Sequence, residues 1–366
     1  MTSNAATRAW GRWQQPLENG RLLCTLCPRA CQLQDEQRGF CFVRKRVGDQ
    51  VVLTSYGKAS GFCVDPVEKK PLVQFYPGTP VLSFGTAGCN LGCQFCQNWD
   101  ISKAKDIART SSSGSPEDIA QTALAWGCSA VAFTYNDPVV FAEYAIDTAH
   151  ACHAVGIHTI AVTAGYITAN AREDFFSVMD AANIDLKAFS EGFYRKLCVA
   201  ELAPVLDTIK YVRHQTKTWL ELTTLLIPSS NDSRDEIARM CDWIMNELGP
   251  DVPLHFTAFH PDYRLTDVPA TPPEVCRRAR EQAISRGLHY VYTGNISDRA
   301  GQTTYCPECG SAAIHRDGYR LCGWNLSGNR CLVCSTEIPG RYSASGPSRF
   351  GSRRLPVQVP SYPARR

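Results

Sequence analysis

Between residues about 81 and 298, apolar strand-like runs alternate with helix-like runs, and this restricts the chain to few folds. The strand runs are VLSFGT, AVAFTY, HTIAVTAG, NIDLKAF, LELTTLLIP and PLHFTAF, with HYVYTGN as an optional extra. They are apolar almost throughout, the pattern of a parallel sheet covered on its faces. Helix starts lie between them. Ser115-Pro116-Glu117-Asp118 offers an N-cap, a proline at the first helical position and an acid in the first turn. Thr271-Pro272-Pro273-Glu274 repeats that logic. About six βα units are too few for an eight-stranded closed barrel. The expected fold is therefore α/β, an open partial (β/α)6 barrel of the TIM type, with its active site at the C-terminal strand ends.

Cysteine usage constrains the chemistry. The 366 residues include 18 cysteines, grouped as CxxC pairs and triads, which indicates metal binding in preference to disulfides. Cys89, Cys93 and Cys96 form a C-x3-C-x2-C triad after the first strand run, with Phe95 before the third thiol. A zinc site usually takes four ligands, and no further Cys or His follows within the next thirty residues. Three thiolates can instead hold three irons of a [4Fe–4S] cube and leave the fourth iron open. An ordinary electron-transfer cluster uses four cysteines.

Two further groups flank the barrel. Cys306-x2-Cys309 and Cys331-x2-Cys334, with 21 residues between the pairs, read as a zinc ribbon whose four thiolates surround one tetrahedral ion. Cys24, Cys27, Cys31 and Cys41 suggest another closed site, for zinc or an auxiliary iron–sulfur cluster, with Cys63 as a substitute for Cys41. Their uneven spacing does not choose the metal. Cys128, Cys152, Cys198, Cys241 and Cys276 fall in helical or apolar runs and read as buried hydrophobes. Cys322 is left over and expected to pack.

Five segments result: an N-terminal Cys-rich metal-binding segment (1–45), a connecting region (46–80), the partial barrel (81–298), the zinc-ribbon segment (299–340) and a Ser/Pro/Arg tail (341–366) expected to be disordered. The net charge of +3 is unevenly placed. The tail carries six arginines and no acid, leaving 32 basic against 35 acidic residues over 1–340, a net −3. That balance argues against a nucleic-acid binder with a domain-wide positive surface. The N-terminus shows no secretory h-region, and no stretch approaches about 18 consecutive apolar residues. A cytoplasmic protein without a membrane span is expected.

The strand ends carry polar residues that a core would not need. Tyr135-Asn136-Asp137-Pro138 follows the second run, Thr163-Ala164-Gly165-Tyr166 the third, and His260 lies at the end of the sixth. Asn183, Asp185 and Lys187 are spaced by two and so share one face of their strand. They read either as a structural ion pair or as groups holding a charged ligand. His255 reads as a core or supporting residue.

Several stretches together resemble a known family: CTLCPRAC, DPVEKKPLVQFYPG, SFGTAGCNLGCQFCQNW, FTYNDP, VTAGYI, DAANIDLKAF, LIPSSNDS, HFTAFHP and VYTGN, in this order from about residue 20 to 340. The chain resembles the radical S-adenosylmethionine enzyme of the AmmeMemoRadiSam system, a relative of pyruvate formate-lyase activating enzyme. The resemblance implies a [4Fe–4S] cluster on Cys89, Cys93 and Cys96, S-adenosylmethionine on its open iron, and a 5′-deoxyadenosyl radical that abstracts hydrogen from a substrate. It implies catalytic roles for the triad, Lys187 and His260. Cofactor binding would fall to Phe95, Asn136, Asp137, Thr163, Gly165, Asp185, Lys187 and His260. Asp137 stands where this family commonly has Glu, and Ser229 where it has Gly. The substrate is a small molecule or, as in the activating enzymes, a glycine of a partner protein. A flavodoxin-type reductase and the other proteins of the system are the expected partners. A non-catalytic metal or redox scaffold is the weaker alternative.

Overall fold

A computed structural model describes residues 9–104 and 112–362. Residues 1–8 of the N-terminal segment and 363–366 of the tail lie outside the described residues. The centre is a nine-stranded sheet. In chain order its strands are β1 (Phe62–Pro66), β2 (Pro80–Phe84), β3 (Ala130–Phe133), β4 (His158–Thr163), β5 (Ala181–Asp185), β6 (Trp219–Leu226), β7 (Leu254–Ala258), β8 (Val291–Gly294) and β9 (Leu355–Val357). Strands β2 to β8 are parallel neighbours in sequence order. HYVYTGN thus supplies a seventh parallel strand. Each parallel strand is nearly continuous in burial, because helices cover the sheet.

The helices that position the site are α1 (Pro116–Ala125), α2 (Ala142–His153), α3 (Ala169–Ser177), α4 (Ala203–Gln215), α5 (Arg234–Leu248) and α6 (Pro273–Ser285). Helix α1 starts as its sequence implies: Ser115 and Asp118 form a reciprocal capping box with Pro116 in the first turn. Helix α6 does not follow that logic. Its N-cap is Pro272, without a side-chain cap. The Thr271 hydroxyl instead accepts from the Phe259 amide (3.1 Å) and donates to the Leu226 carbonyl, tying the ends of β6 and β7.

Two expectations need correction. The connecting region contributes β1, which runs antiparallel to β2. The tail, expected to be disordered, contributes β9, antiparallel to β1 at the edge of the same sheet. Low apolar content hid this strand. It is only three residues long, buries Val357, and places Pro356 on an edge where a missing N–H is tolerated. The cysteine-rich C-terminal segment forms a three-stranded antiparallel sheet of Thr304–Tyr305, Ala312–Asp317 and Arg320–Trp324. It packs its own small core of Ile314, Leu326 and Ile338 against Tyr290 and Tyr292.

Candidate functional site

The loop after β2 carries the cysteine triad, and neighbouring elements hold its backbone. Asn136, just past β3, donates from Nδ2 to the Gly88 carbonyl (2.8 Å) and accepts from the Thr86 amide (2.9 Å). Asn90 donates to the Tyr166 carbonyl (2.7 Å) and Lys103 to the Leu91 carbonyl (2.7 Å). Gly88 has φ +80°, and a Cβ there would lie 1.9 Å from the Cys41 carbonyl oxygen. Glycine is needed for conformation and for close approach. A turn around Tyr194–Cys198 closes the other side, accepting from the amides of Gly92 (2.7 Å) and Gln94 (2.9 Å).

The loop faces a cavity of about 1090 Å³ lined by all three triad thiols. Backbone and hydroxyl groups meet the sulfurs: the Leu91 amide lies 3.4 Å from Cys89 Sγ and the Ser102 hydroxyl 3.2 Å from Cys96 Sγ. The Phe95 ring is buried against Phe193, with centroids 5.6 Å apart.

The structure brings most of the predicted residues to this cavity. Asp185 and Lys187 line it together, joined at 2.8 Å. Burial opposes the charge on Lys187, but Asp185 and the nearby thiols outweigh it and keep the ammonium protonated. Asn183, on the same face, lies deeper and donates to the Pro71 carbonyl (2.8 Å). Asp137 lines the cavity with its carboxylate already engaged by the Thr163 hydroxyl (2.9 Å) and the amides of Ala164 (2.9 Å) and Val139 (3.0 Å). Burial raises its pKa while these donors oppose the rise. Thr163 lines the cavity too. Gly165 is not among the lining residues; it sits behind them at φ +65°, where a Cβ would press on Ile184.

His260 departs from expectation. Strand β7 ends at Ala258, and the His260 side chain is 58% exposed, 3.9 Å from Asp262 and away from the cavity wall. The histidine in the cavity is His255. Its Nε2 is 2.7 Å from Glu221, and its ring stacks on Tyr292 at 5.1 Å. Glu221 also accepts from the amides of Val73 and Gln74 and from the Trp219 indole. A carboxylate oxygen accepts, so the His255 Nε2–H donates this hydrogen bond. The sheet register, which the sequence does not show, makes Asp185, Thr223, His255 and Tyr292 consecutive cross-strand partners on four neighbouring strands.

Sequence reading also missed the DPVEKK stretch as a cavity wall. Lys70 and Asp65 form a fully buried pair at 2.9 Å, and both line the cavity. Tyr135 stands beside them at φ +72°, a backbone state rare for an aromatic residue. Its hydroxyl is 2.7 Å from Cys63 Sγ. Cys63, on β1, thus has Tyr135 and Asp65 as its thiol's neighbours. The C-terminal segment and the tail complete the wall with Arg316, Asp317–Arg320 and Arg354.

In the C-terminal segment Cys306, Cys309, Cys331 and Cys334 converge, with all four sulfurs within 4.8 Å of one another. Cys306 and Cys334 are 3.5 Å apart, Cys309 and Cys331 3.8 Å. Four thiolates at about 2.3 Å from one tetrahedral ion would stand about 3.8 Å apart, so this set could hold a metal ion. Cys322 stays outside it, exposed, where packing was expected. Cys128, Cys152, Cys198, Cys241 and Cys276 are all buried.

Residues 84–242 match the radical SAM superfamily. The chain is 38% identical over 327 residues to an uncharacterized protein of Methanocaldococcus jannaschii, an alignment covering 88% of this chain and 97% of that protein. The chain belongs to the radical SAM superfamily. It is 26% identical over 181 residues to the pyruvate formate-lyase-activating enzyme of Listeria monocytogenes, covering 46% of this chain and 70% of that one. A radical SAM methyltransferase from Sphaerobacter thermophilus superposes with a TM-score of 0.49 at 15% identity, covering 62% of this chain and 71% of that one.

Radical SAM proteins are enzymes, and the superfamily implies a [4Fe–4S] cluster and S-adenosylmethionine. The donor set of this radical SAM chain fits the cluster. Three thiols line one cavity, and they do not share the tight spacing of the C-terminal quartet. A cube, which sets a different iron under each sulfur, requires that wider spacing.

Proposed function

We propose that this protein is a radical S-adenosylmethionine enzyme that abstracts hydrogen from a small-molecule substrate in the cavity beneath Cys89, Cys93 and Cys96. The observation that carries the reading is the convergence of that triad, the Asp185–Lys187 pair and the strand-end residues of a parallel sheet on one cavity. When bound, the cluster would supply the electron that splits the sulfonium of the nucleotide, giving methionine and a 5′-deoxyadenosyl radical.

The chain's own residues supply position and exclusion of water. Cys89, Cys93 and Cys96 would hold three irons. Lys187, kept protonated, can donate to the carboxylate of the methionine part, while Asp185 can accept an N–H from its amino group. Asp137, one methylene shorter than Glu, instead fixes the turn after β4 by accepting from the Thr163 hydroxyl and the Ala164 amide, and so sets the stretch of wall against which the nucleotide would lie. Asn136 acts on the cluster loop backbone. Phe95 packs beside the thiols and keeps water from them. Within this reading the sheet is the partial barrel anticipated above, and its active face is the C-terminal strand ends.

The small-molecule reading is supported by the wall that the chain's own C-terminal segment and tail contribute to the cavity. A second reading, an activase acting on a glycine of a partner protein, is favoured by the likeness to pyruvate formate-lyase-activating enzymes. We further assign zinc to Cys306, Cys309, Cys331 and Cys334, a cytoplasmic location, a flavodoxin-type electron donor, and partners among the AmmeMemoRadiSam proteins. Among the described residues no helix is long and apolar enough to cross a membrane.

The test is anaerobic incubation of reconstituted, reduced protein with S-adenosylmethionine. Formation of 5′-deoxyadenosine and methionine, lost when the triad is replaced by alanine, is the expected result. Equal 5′-deoxyadenosine from the triple variant would refute the reading. Deuterium incorporated into 5′-deoxyadenosine from a glycine-deuterated partner protein would replace the small-molecule reading with the activase one.

A further inference from the structure

We infer that Cys24, Cys27, Cys31 and Cys41 hold an iron–sulfur cluster, and not a single zinc ion, in a site docked on the loop of the radical-forming triad. The sequence leaves both metals open; the geometry separates them. A mononuclear tetrahedral site brings its thiolates to about 3.8 Å from one another. The C-terminal quartet of this same chain meets that spacing. Among the described residues it is the set of three or more metal-ligating side chains whose donor atoms all lie within 4.8 Å. No three of the N-terminal cysteines do so, although the four share one neighbourhood. The Cys24 amide donates to the Cys31 carbonyl (2.9 Å), and the Cys27 thiol lies close enough to Cys24, Cys31 and Cys41 for their charges to act on it. That wider arrangement is also the one shown by Cys89, Cys93 and Cys96. This last comparison rests on the function proposed above; the contrast with the C-terminal quartet does not.

Two independent features show that the site is built for anionic sulfur. The first is backbone amides directed at the sulfurs. The Phe40 amide is 3.5 Å from Cys31 Sγ. Cys24 meets the Leu26 amide, Cys27 the Arg29 amide, and Cys41 the amides of Val43 and Arg44. Amide donors to cluster sulfurs are among the protein's means of setting a cluster's potential. The second is Arg44, 2% exposed. One of its nitrogens pairs with Glu143, while Nε and Nη1 have no hydrogen-bond partner among the described residues. Its positive charge acts on Cys24 and Cys41. A buried guanidinium with two unmet donors is costly without a compensating anion. Thiolates gathered on a cluster would provide one.

The same segment buttresses the triad loop. Arg29, between Cys27 and Cys31, donates from Nε to the Asn90 carbonyl (2.8 Å) and from a second nitrogen to the Val199 carbonyl. The Cys41 carbonyl lies against Gly88, the residue before Cys89. Whatever the four cysteines hold is therefore separated from the triad by one backbone contact.

The deciding experiment measures iron, acid-labile sulfide and zinc in anaerobically reconstituted full-length protein and in the Cys89→Ala/Cys93→Ala/Cys96→Ala variant, which leaves the N-terminal site intact. The expected variant retains two to about four irons with matching sulfide, a charge-transfer absorbance near that of a cluster, and about one zinc. A second variant, Cys24→Ser/Cys27→Ser, should lose that iron and keep the iron of the triad. Two zinc ions with no iron in the triad variant, one iron without sulfide, or no metal beyond the C-terminal zinc would each overturn the inference. Failure of the radical-enzyme reading gives a different pattern: wild type and triad variant would then carry equal iron.

Discussion

Two cysteine sets of this molecule use the same ligand type in contrasting arrangements. Cys306, Cys309, Cys331 and Cys334 come from two tight knuckles and gather within 4.8 Å, a geometry that saturates a tetrahedral ion. Cys89, Cys93 and Cys96 come from one loop, spread more widely, and open onto a cavity shared with Asp185 and Lys187. One ion held by the first set would have no open position, whereas a cluster held by the second would keep one iron for a ligand. Yet the two are linked, because the C-terminal segment supplies Arg316 and the 317–320 turn to the cavity wall. Arg316 is tied to Thr304 (2.9 Å) and to the Val73 carbonyl, and lies 3.8 Å from Glu68. Ligand number and spacing, more than ligand type, separate a structural metal from a reactive one.

The sharpest way to break this contrast is to remove ligands from each set. Replacing Cys89, Cys93 and Cys96 with Ala should abolish 5′-deoxyadenosine formation while the circular dichroism of the sheet and helices stays native. Next in size is Lys187→Met. If Lys187 serves a ligand, the variant keeps its melting temperature and iron but loses turnover by about 100-fold or more, as expected when a charge-assisted contact of about 3 kcal/mol is removed. A variant destabilised by about 3–5 kcal/mol with normal specific activity would make the pair structural.

Cys331→Ser should have a smaller and more local effect. Residues 304–338 should become protease-sensitive while the triad keeps its absorbance, because a small segment depends on its metal to fold. Turnover should fall in part, since Arg316 loses its mounting. Unchanged protease resistance would remove the structural role assigned to the quartet.

The contrast was only partly legible in the sequence. Six parallel strands, an optional seventh, and the N-cap and first-turn proline of α1 follow from local patterns, since apolar runs and Ser115-Pro116 act over a few residues. Strand β9 did not, because three residues in an arginine-rich tail carry no periodicity, and only pairing with β1 orders them. Asp185 and Lys187 could be read from their spacing by two. His255 could not be ranked above His260, because its distinction is a partner, Glu221, 34 positions away. Lys70 and Asp65 were visible as a motif, but the cavity they line needs the fold. Ser229 is instructive as well. Ser229 adopts φ +60°, a left-handed state that favours glycine, with its amide on Asp232 (2.8 Å). Ser229→Gly should therefore stabilise the protein by up to about 1 kcal/mol, the smallest effect anticipated here, read as a rise of a few degrees in melting temperature. A fall would show that the extra conformational freedom of glycine in the unfolded chain had outweighed the relief of backbone strain.

The most direct test of an open, three-thiolate site is the EPR spectrum of the reduced protein before and after S-adenosylmethionine is added, with the Cys24→Ser/Cys27→Ser background used to isolate the triad. A cluster with one open iron must change its spectrum when the nucleotide's amino and carboxylate groups bind, and the change must vanish with the triad. A reduced-cluster signal that is identical with and without S-adenosylmethionine would contradict the account.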